Sequence, residues 1–207
     1  MNPSNYGSTA PQLEHQAPES PNLSPTEANT VKQVVGTFLY HARAVDPTML
    51  MALKSITAEQ VNITESTTKS VTQLLNYAAT HPEPIKRYNT SGMILHIHSD
   101  ASFLSEPGAK RRAGGYNYLS TASADPKKAP PKQPPFNGPV HAECTTMINI
   151  LASATESEIG SLFVNCQRGA LTHIVLIEMG HDQPPTPAVT DSATGDGFVN
   201  DNILQRR

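Results

Sequence analysis

Two hydrophobic patterns divide the chain. From Val31 to Ala78 apolar residues recur at three- and four-residue spacing; from Met93 onward they alternate with polar ones or run together as β-branched stretches. The first pattern predicts three helices. Ser24-Pro-Thr-Glu27 has capping-box spacing, with Pro25 suited to a first helical turn, and Val31, Val34, Val35, Phe38, Leu39 and Ala42 follow on one face. Asp46-Pro47 ends this helix. Met49, Leu50, Leu53 and Ile56 predict a second, and Thr64-Glu65 opens a third that stops before His81-Pro82. Lys32, His41 and Arg43 read as solvated positions on these helices rather than a nucleic-acid contact.

The second pattern predicts strands. Met93-Ile-Leu-His-Ile-His-Ser-Asp-Ala-Ser-Phe103 is an apolar run that delivers Asp100 to its end. Alternation places His96, His98 and Asp100 on one face, and Leu95, Ile97 and Ser99 on the other. Residues 105–112 form a turn with a basic cluster, and Ala113–Leu119 returns as the second arm of a hairpin. Five prolines and three lysines make 120–138 a long loop. A third, alternating strand is predicted over Pro139–Ile150. Ser153-Ala-Thr-Glu156 then opens a helix reaching about Cys166, with a break at Asn165–Ala170; Leu171–Met179 reads as a further helix, with a strand as the alternative for its apolar run. Pro184-Pro185-Thr-Pro187 forces an extended approach to a short strand, Ala188–Ser192, that ends in a second buried-strand acid, Asp191.

Composition narrows the picture. The 207 residues are 37% hydrophobic and 5% aromatic, with 18 prolines, so about two thirds of the chain is expected to pack. Residues 1–28 are expected to be a disordered or extended lead-in, 29–90 a helical unit and 91–207 an α/β unit. At a net charge of −3 the whole protein is not an obvious polyanion binder. Yet Lys110, Arg111, Arg112, Lys127 and Lys128 concentrate positive charge beside the Asp100 strand, where a phosphate backbone is a candidate ligand. Cys144 and Cys166 lack metal-ligand spacing and fit a reducing compartment. No apolar run reaches transmembrane length and no signal-peptide pattern opens the chain, so a cytoplasmic or nuclear location is expected, not a secreted one.

Candidate chemistry rests on three acids in apolar surroundings: Asp100, Glu158 and Asp191. Glu156 and Glu158 stand about 200° apart on a helix. Glu156 takes the capping role, and Glu158 lies beside the Ile159–Phe163 stripe, on or next to the buried face. Three clustered carboxylates repel unless divalent cations sit between them, and oxygen-only ligands suit Mg²⁺ or Mn²⁺. Two such ions catalyse phosphodiester cleavage. The rival reading, a zinc site on His96, His98 and Asp100, lacks a later histidine cluster to complete it.

His-Ser-Asp-Ala-Ser-Phe (98–103), Ala-Thr-Glu-Ser-Glu-Ile-Gly-Ser-Leu-Phe (154–163) and Val-Thr-Asp-Ser (189–192), in that order, resemble the ribonuclease H region of copia-type retrotransposon polyproteins. Val34–Pro47 resembles the helical connection that follows the reverse transcriptase in the same elements. The resemblance covers about residues 31–202. It implies an α/β, ribonuclease H-like mixed sheet of five strands with flanking helices, preceded by the connection unit. It also implies Mg²⁺- or Mn²⁺-dependent cleavage of the RNA strand of RNA–DNA hybrids, with Asp100, Glu158 and Asp191 as the catalytic, metal-binding acids. Partners would be the hybrid and the rest of the polyprotein, with no membrane. Ser192 departs from the family's usual Asn, the family's fourth acid would fall beyond Arg207, and no Tyr-x-Asp-Asp polymerase signature is present. The expectation is therefore a domain incomplete at its C-terminus with weak or absent nuclease activity. The alternative is a non-catalytic nucleic-acid-binding remnant of a transposable element.

Overall fold

A computed structural model describes residues 21–60, 62–106, 110–121, 135–148 and 152–200. Most of the predicted lead-in lies outside them, but its last residues are structured: Asn22 bridges Thr64, and Pro25 opens the first helix.

The three predicted helices are present: α1 (Pro25–Ala44), α2 (Leu50–Ala58) and α3 (Glu65–Thr80), with a 3₁₀ turn at Pro47–Met49. The α1 capping box is complete. Glu27 accepts from the Ser24 backbone N–H at 3.0 Å, and its own N–H donates to Ser24 Oγ at 3.4 Å. Asp46, buried, accepts from the Thr48 N–H at 3.1 Å and so turns the chain from α1 into α2. Val31, Val35, Leu53, Ile56, Val71 and Leu74 form the core between the helices. Leu53 is fully buried, so its truncation to Ala would cost about 2–5 kcal/mol.

The remainder is a mixed α/β unit. Its four-stranded sheet is built from β1 (Ile94–Glu106), β2 (Lys110–Ser120), β3 (Pro139–Met147) and β4 (Ala188–Thr190), in the order β3-β2-β1-β4. β1–β2 and β2–β3 are antiparallel; β4 joins the far side of β1 in parallel. Two helices, α4 (Ala154–Glu178) and α5 (Ala193–Asn200), complete it. The predicted third strand ends at Met147, and residues 149–150 lie outside the described set.

The two faces of the sheet differ. On one, Ala142 and Cys144 of β3 pack against the helical core of α1–α3. Register continues this face through Tyr116 and Tyr118 of β2 to His98 and His96 of β1. His96 is buried and stacks on Tyr118 at 5.4 Å, and His98 meets the Phe136 ring edge-on. Among the described residues the zinc rival's His96, His98 and Asp100 are not drawn into one ligand group. Burial also pushes the His96 imidazole below its usual pKa, which favours the neutral ring.

The other face carries α4, and here two expectations fail. No break interrupts Asn165–Ala170: α4 is one helix of 25 residues. Nor is the Ile159–Phe163 stripe its buried side, for Phe163 is 61% exposed. The inward residues are Ser157, Ser161, Asn165 and Gly169, spaced by four along one face. The residues that read as helix breakers are the contact residues. A Cβ at Gly169 would collide with the Ile97 side chain, which would have to shift for the helix to approach this closely. Asn165, 1% exposed, donates to Ser99 Oγ and to the Gly114 carbonyl, both at 2.8 Å. Ser161 Oγ lies 3.0 Å from Ser99 Oγ. Helix and sheet are thus joined by a buried polar seam, in which every satisfied group is fixed in place.

Candidate metal centre

The three acids converge. Asp100, Glu158 and Asp191 each offer a carboxylate oxygen, and these atoms lie within 4.8 Å of one another. Topology accounts for two of them. The parallel pairing of β1 with β4 runs Ile97 with Ala188, His98 with Val189 and Ser99 with Thr190, and then stops. Asp100 and Asp191 are the next residue on each strand, so adjacent strands present them side by side where the pairing ends. Both are exposed, which corrects the expectation of a buried acid at 191.

The third comes from above the sheet. Ser153 caps α4 by accepting from the Glu156 N–H at 3.1 Å, and Glu156 reaches back to accept from the Ala152 N–H at 2.6 Å. That start places Glu158 in the second turn, over the β1–β4 junction. One of its oxygens accepts from the Ala101 N–H of β1 and the other from Thr190 Oγ of β4, each at 3.3 Å. Ser161, one turn on, donates to the Asp100 carbonyl at 2.7 Å and ties the strand to the helix at the same level.

The electrostatics are unrelieved. Burial first, then the charges of Asp191 and Asp100, push the Glu158 carboxyl above its ordinary pKa; the bonds from Ala101 and Thr190 oppose the rise only in part. Among the described residues no Lys, Arg or His closes an ion pair with any of the three. Three convergent carboxylates, with no cation of the described residues paired to them, are close enough to hold a metal ion, and their all-oxygen donor set suits a hard one.

The basic residues picked out beside this strand are not a uniform patch. Arg112 is corrected outright. It is 4% exposed, and its guanidinium donates to the Met51 carbonyl at 3.2 Å and to Ser55 Oγ at 3.0 Å. It anchors α2 to the sheet, because β2 turns residue 112 toward the helices. Arg111 sits over the Phe103 ring, 4.9 Å from its centre. Lys110 opens β2, and Lys127 and Lys128 lie outside the described residues. The supporting residues Ser99, Ser161, Asn165 and Thr190 escaped the pattern reading. Small polar residues repeating every four positions from Ser157 to Gly169 were the available signal.

No protein-family model matches the chain, and neither does any curated protein or solved structure. Among the described residues no helix is long and apolar enough to cross a membrane.

Proposed function

We propose that this chain is a ribonuclease H-like domain whose acids hydrolyse the RNA strand of RNA–DNA hybrids with Mg²⁺ or Mn²⁺. The supporting observation is the meeting of Asp100, Glu158 and Asp191, which lie 58 and 33 positions apart in turn, at one end of a mixed sheet. Each acid comes from a different element: a strand in the middle of the sheet, a helix on its face and the end of a parallel strand. Bound divalent ions would supply an activated water and charge stabilisation at the departing oxygen. The chain's own part is to hold the three carboxylates together. Glu158 is oriented by Ala101 and Thr190, and the Asp100 backbone is held by the Ser161 bond to its carbonyl. Raised proton affinity at Glu158 makes ion and proton competitors for one group.

The departure at residue 192 is compatible with this reading. Ser192 Oγ accepts from the Gly195 N–H at 3.0 Å and so caps α5, a role that Ser and Asn fill about equally well. The polymerase signature is missing from the chain, so DNA synthesis forms no part of the proposal.

The direct test is cleavage of an end-labelled RNA–DNA hybrid in Mg²⁺ by the wild type, Asp100→Asn and Asp191→Asn. Weak cutting confined to the RNA strand, in keeping with the expected impairment and lost in each variant, is the expected result. Equal cutting by the wild type and both variants would sink the assignment. Salt-sensitive hybrid binding without cleavage, unchanged by Asp100→Asn, would instead favour the non-catalytic nucleic-acid-binding reading.

A further inference from the structure

A second candidate surface lies across the sheet from the acids. A cleft of about 630 Å³ opens between the end of α1, α2, the segment before β1, the outer strand β3 and α4. Its charge is one-sided: Arg43, Lys54, Lys86 and Arg168 line it against the single carboxylate of Glu143. Arg168 is paired with Glu143. Lys86 donates to the Ala44 carbonyl at 3.0 Å, which leaves it two further donors. Arg43 and Lys54 make no hydrogen bond or ion pair with a described residue, so both cations are available to a ligand.

An aromatic ring stands in the same wall. Tyr88 is 60% exposed, yet it is not loose. Its hydroxyl donates to the Pro139 carbonyl at 3.1 Å, and the ring lies so close on Gly138 that a Cβ there would come within 2.7 Å of its Cδ1 and Cε1. One side of the ring is held by backbone and the rest faces outward. Available cations beside a fixed, open ring suit a ligand that alternates phosphates with flat bases.

Position strengthens the case. Asp100 pairs with Gly114, and Gly114 with Cys144, which lines the cleft. Acids and cleft therefore share one row across the sheet, with two strand spacings, about 10 Å, between the backbones of Asp100 and Cys144. We infer that this cleft binds a single-stranded nucleic-acid segment, its phosphates on Arg43, Lys54 and Lys86 and a base on Tyr88. The inference deepens the hydrolase reading and rests on it for the identity of the polymer: the cleft becomes a second grip on the chain whose neighbouring stretch meets the acids.

The test is made without metal, so that it does not depend on catalysis. A fluorescein-labelled oligothymidylate of about twelve nucleotides is titrated by anisotropy in EDTA against the wild type, the double variant Arg43→Gln/Lys54→Gln, Tyr88→Leu and Asp100→Asn. The expected result is a Kd raised about tenfold in the double variant, with the salt slope reduced by about 1.4 for two lost phosphate contacts. Tyr88→Leu should weaken binding severalfold, and Asp100→Asn should leave it no weaker. Thermal melting of each variant separates lost binding from lost structure, and a neutral variant at Arg43 alone, an exposed position, serves if the double variant fails to fold. Wild-type affinity in a folded cation variant overturns the inference. So does affinity unchanged by Tyr88→Leu. Failure of hybrid cleavage with these binding effects intact would count against the hydrolase reading and leave the cleft standing.

Discussion

Replacing Glu158 by Gln should make the metal-free protein more stable. The carboxylate oxygens of the three acids lie within 4.8 Å of one another, and Glu158 belongs to two of the three pairs. At that separation two unit charges repel by about 0.9 kcal/mol in a water-like dielectric and about 3.5 kcal/mol at an effective dielectric of about 20. Asp100 and Asp191 are exposed, so the lower figure governs, and neutralising Glu158 relieves about 2 kcal/mol. The amide keeps an acceptor for Ala101 or Thr190 but not both, and those bonds are long, so the loss on that side is about 0.5 kcal/mol. The net gain of about 1.5 kcal/mol corresponds to about 3–6 °C in Tm for a chain of this size. The sign with pH follows from the raised folded-state pKa of Glu158. Its contribution to stability is fully present below the unfolded value near 4.5 and is lost as pH rises through the higher folded value. The wild type in EDTA should therefore lose stability on going from acidic to neutral pH relative to Glu158→Gln. Added Mg²⁺ should stabilise the wild type by about 1.4 kcal/mol at ten times Kd, seen as a higher Tm, and stabilise the variant less. The assay is a thermal melt across pH with EDTA or Mg²⁺. A variant that melts at or below the wild type in EDTA at neutral pH, or a wild type indifferent to both Mg²⁺ and Mn²⁺, would refute the reasoning.

Three further outcomes are expected. Asn165→Ala removes the donor shared by Ser99 Oγ and the Gly114 carbonyl and should cost about 2–3 kcal/mol in urea unfolding; a loss under about 0.5 kcal/mol would mean the seam is not holding α4. Gly115→Ala drives a methyl into the Asn165 carboxamide, which its own bonds prevent from moving, and should lower stability by about 2 kcal/mol, with α4 signals the first to broaden in NMR spectra. Arg112→Met should destabilise the protein by about 1–3 kcal/mol and leave the salt dependence of nucleic-acid binding unchanged, since its guanidinium faces α2 rather than solvent; a salt slope lowered by about 1 would restore it as a phosphate contact.

The sequence made the helices and the acids legible for local reasons. Ser24 with Glu27, and Ser153 with Glu156, mark helix starts by bonds that span three residues, and the apolar run into Asp100 is a strand wherever it packs. What stayed hidden depends on partners distant in the chain. Arg112 looked like one of a basic cluster because nothing nearby indicates that Met51 and Ser55 would face it. Asn165 and Gly169 carry low helix propensity, and only the approach of Ser99, Gly114 and Ile97 turns that liability into a contact. The basic cleft gathers Arg43, Lys54, Lys86 and Arg168 from four separate segments, each unremarkable in its own surroundings. Hydrophobic periodicity reports burial by apolar residues, so a helix that docks through serines, an amide and a glycine is the kind it misreads.

Strand β4 is three residues long and rests on β1 through three register pairs, with Pro187 accepting one further bond from the Ile97 N–H. So short an addition is the least cooperative part of the sheet, and half of the aspartate pair hangs from its end. A divalent ion seated between residues 100 and 191 would work as a rivet, fastening an otherwise shallow splice from the side that solvent reaches first. Slowed amide exchange at Val189 and Thr190, and little change deep in the β1–β2 hairpin, would be the mark of that fastening.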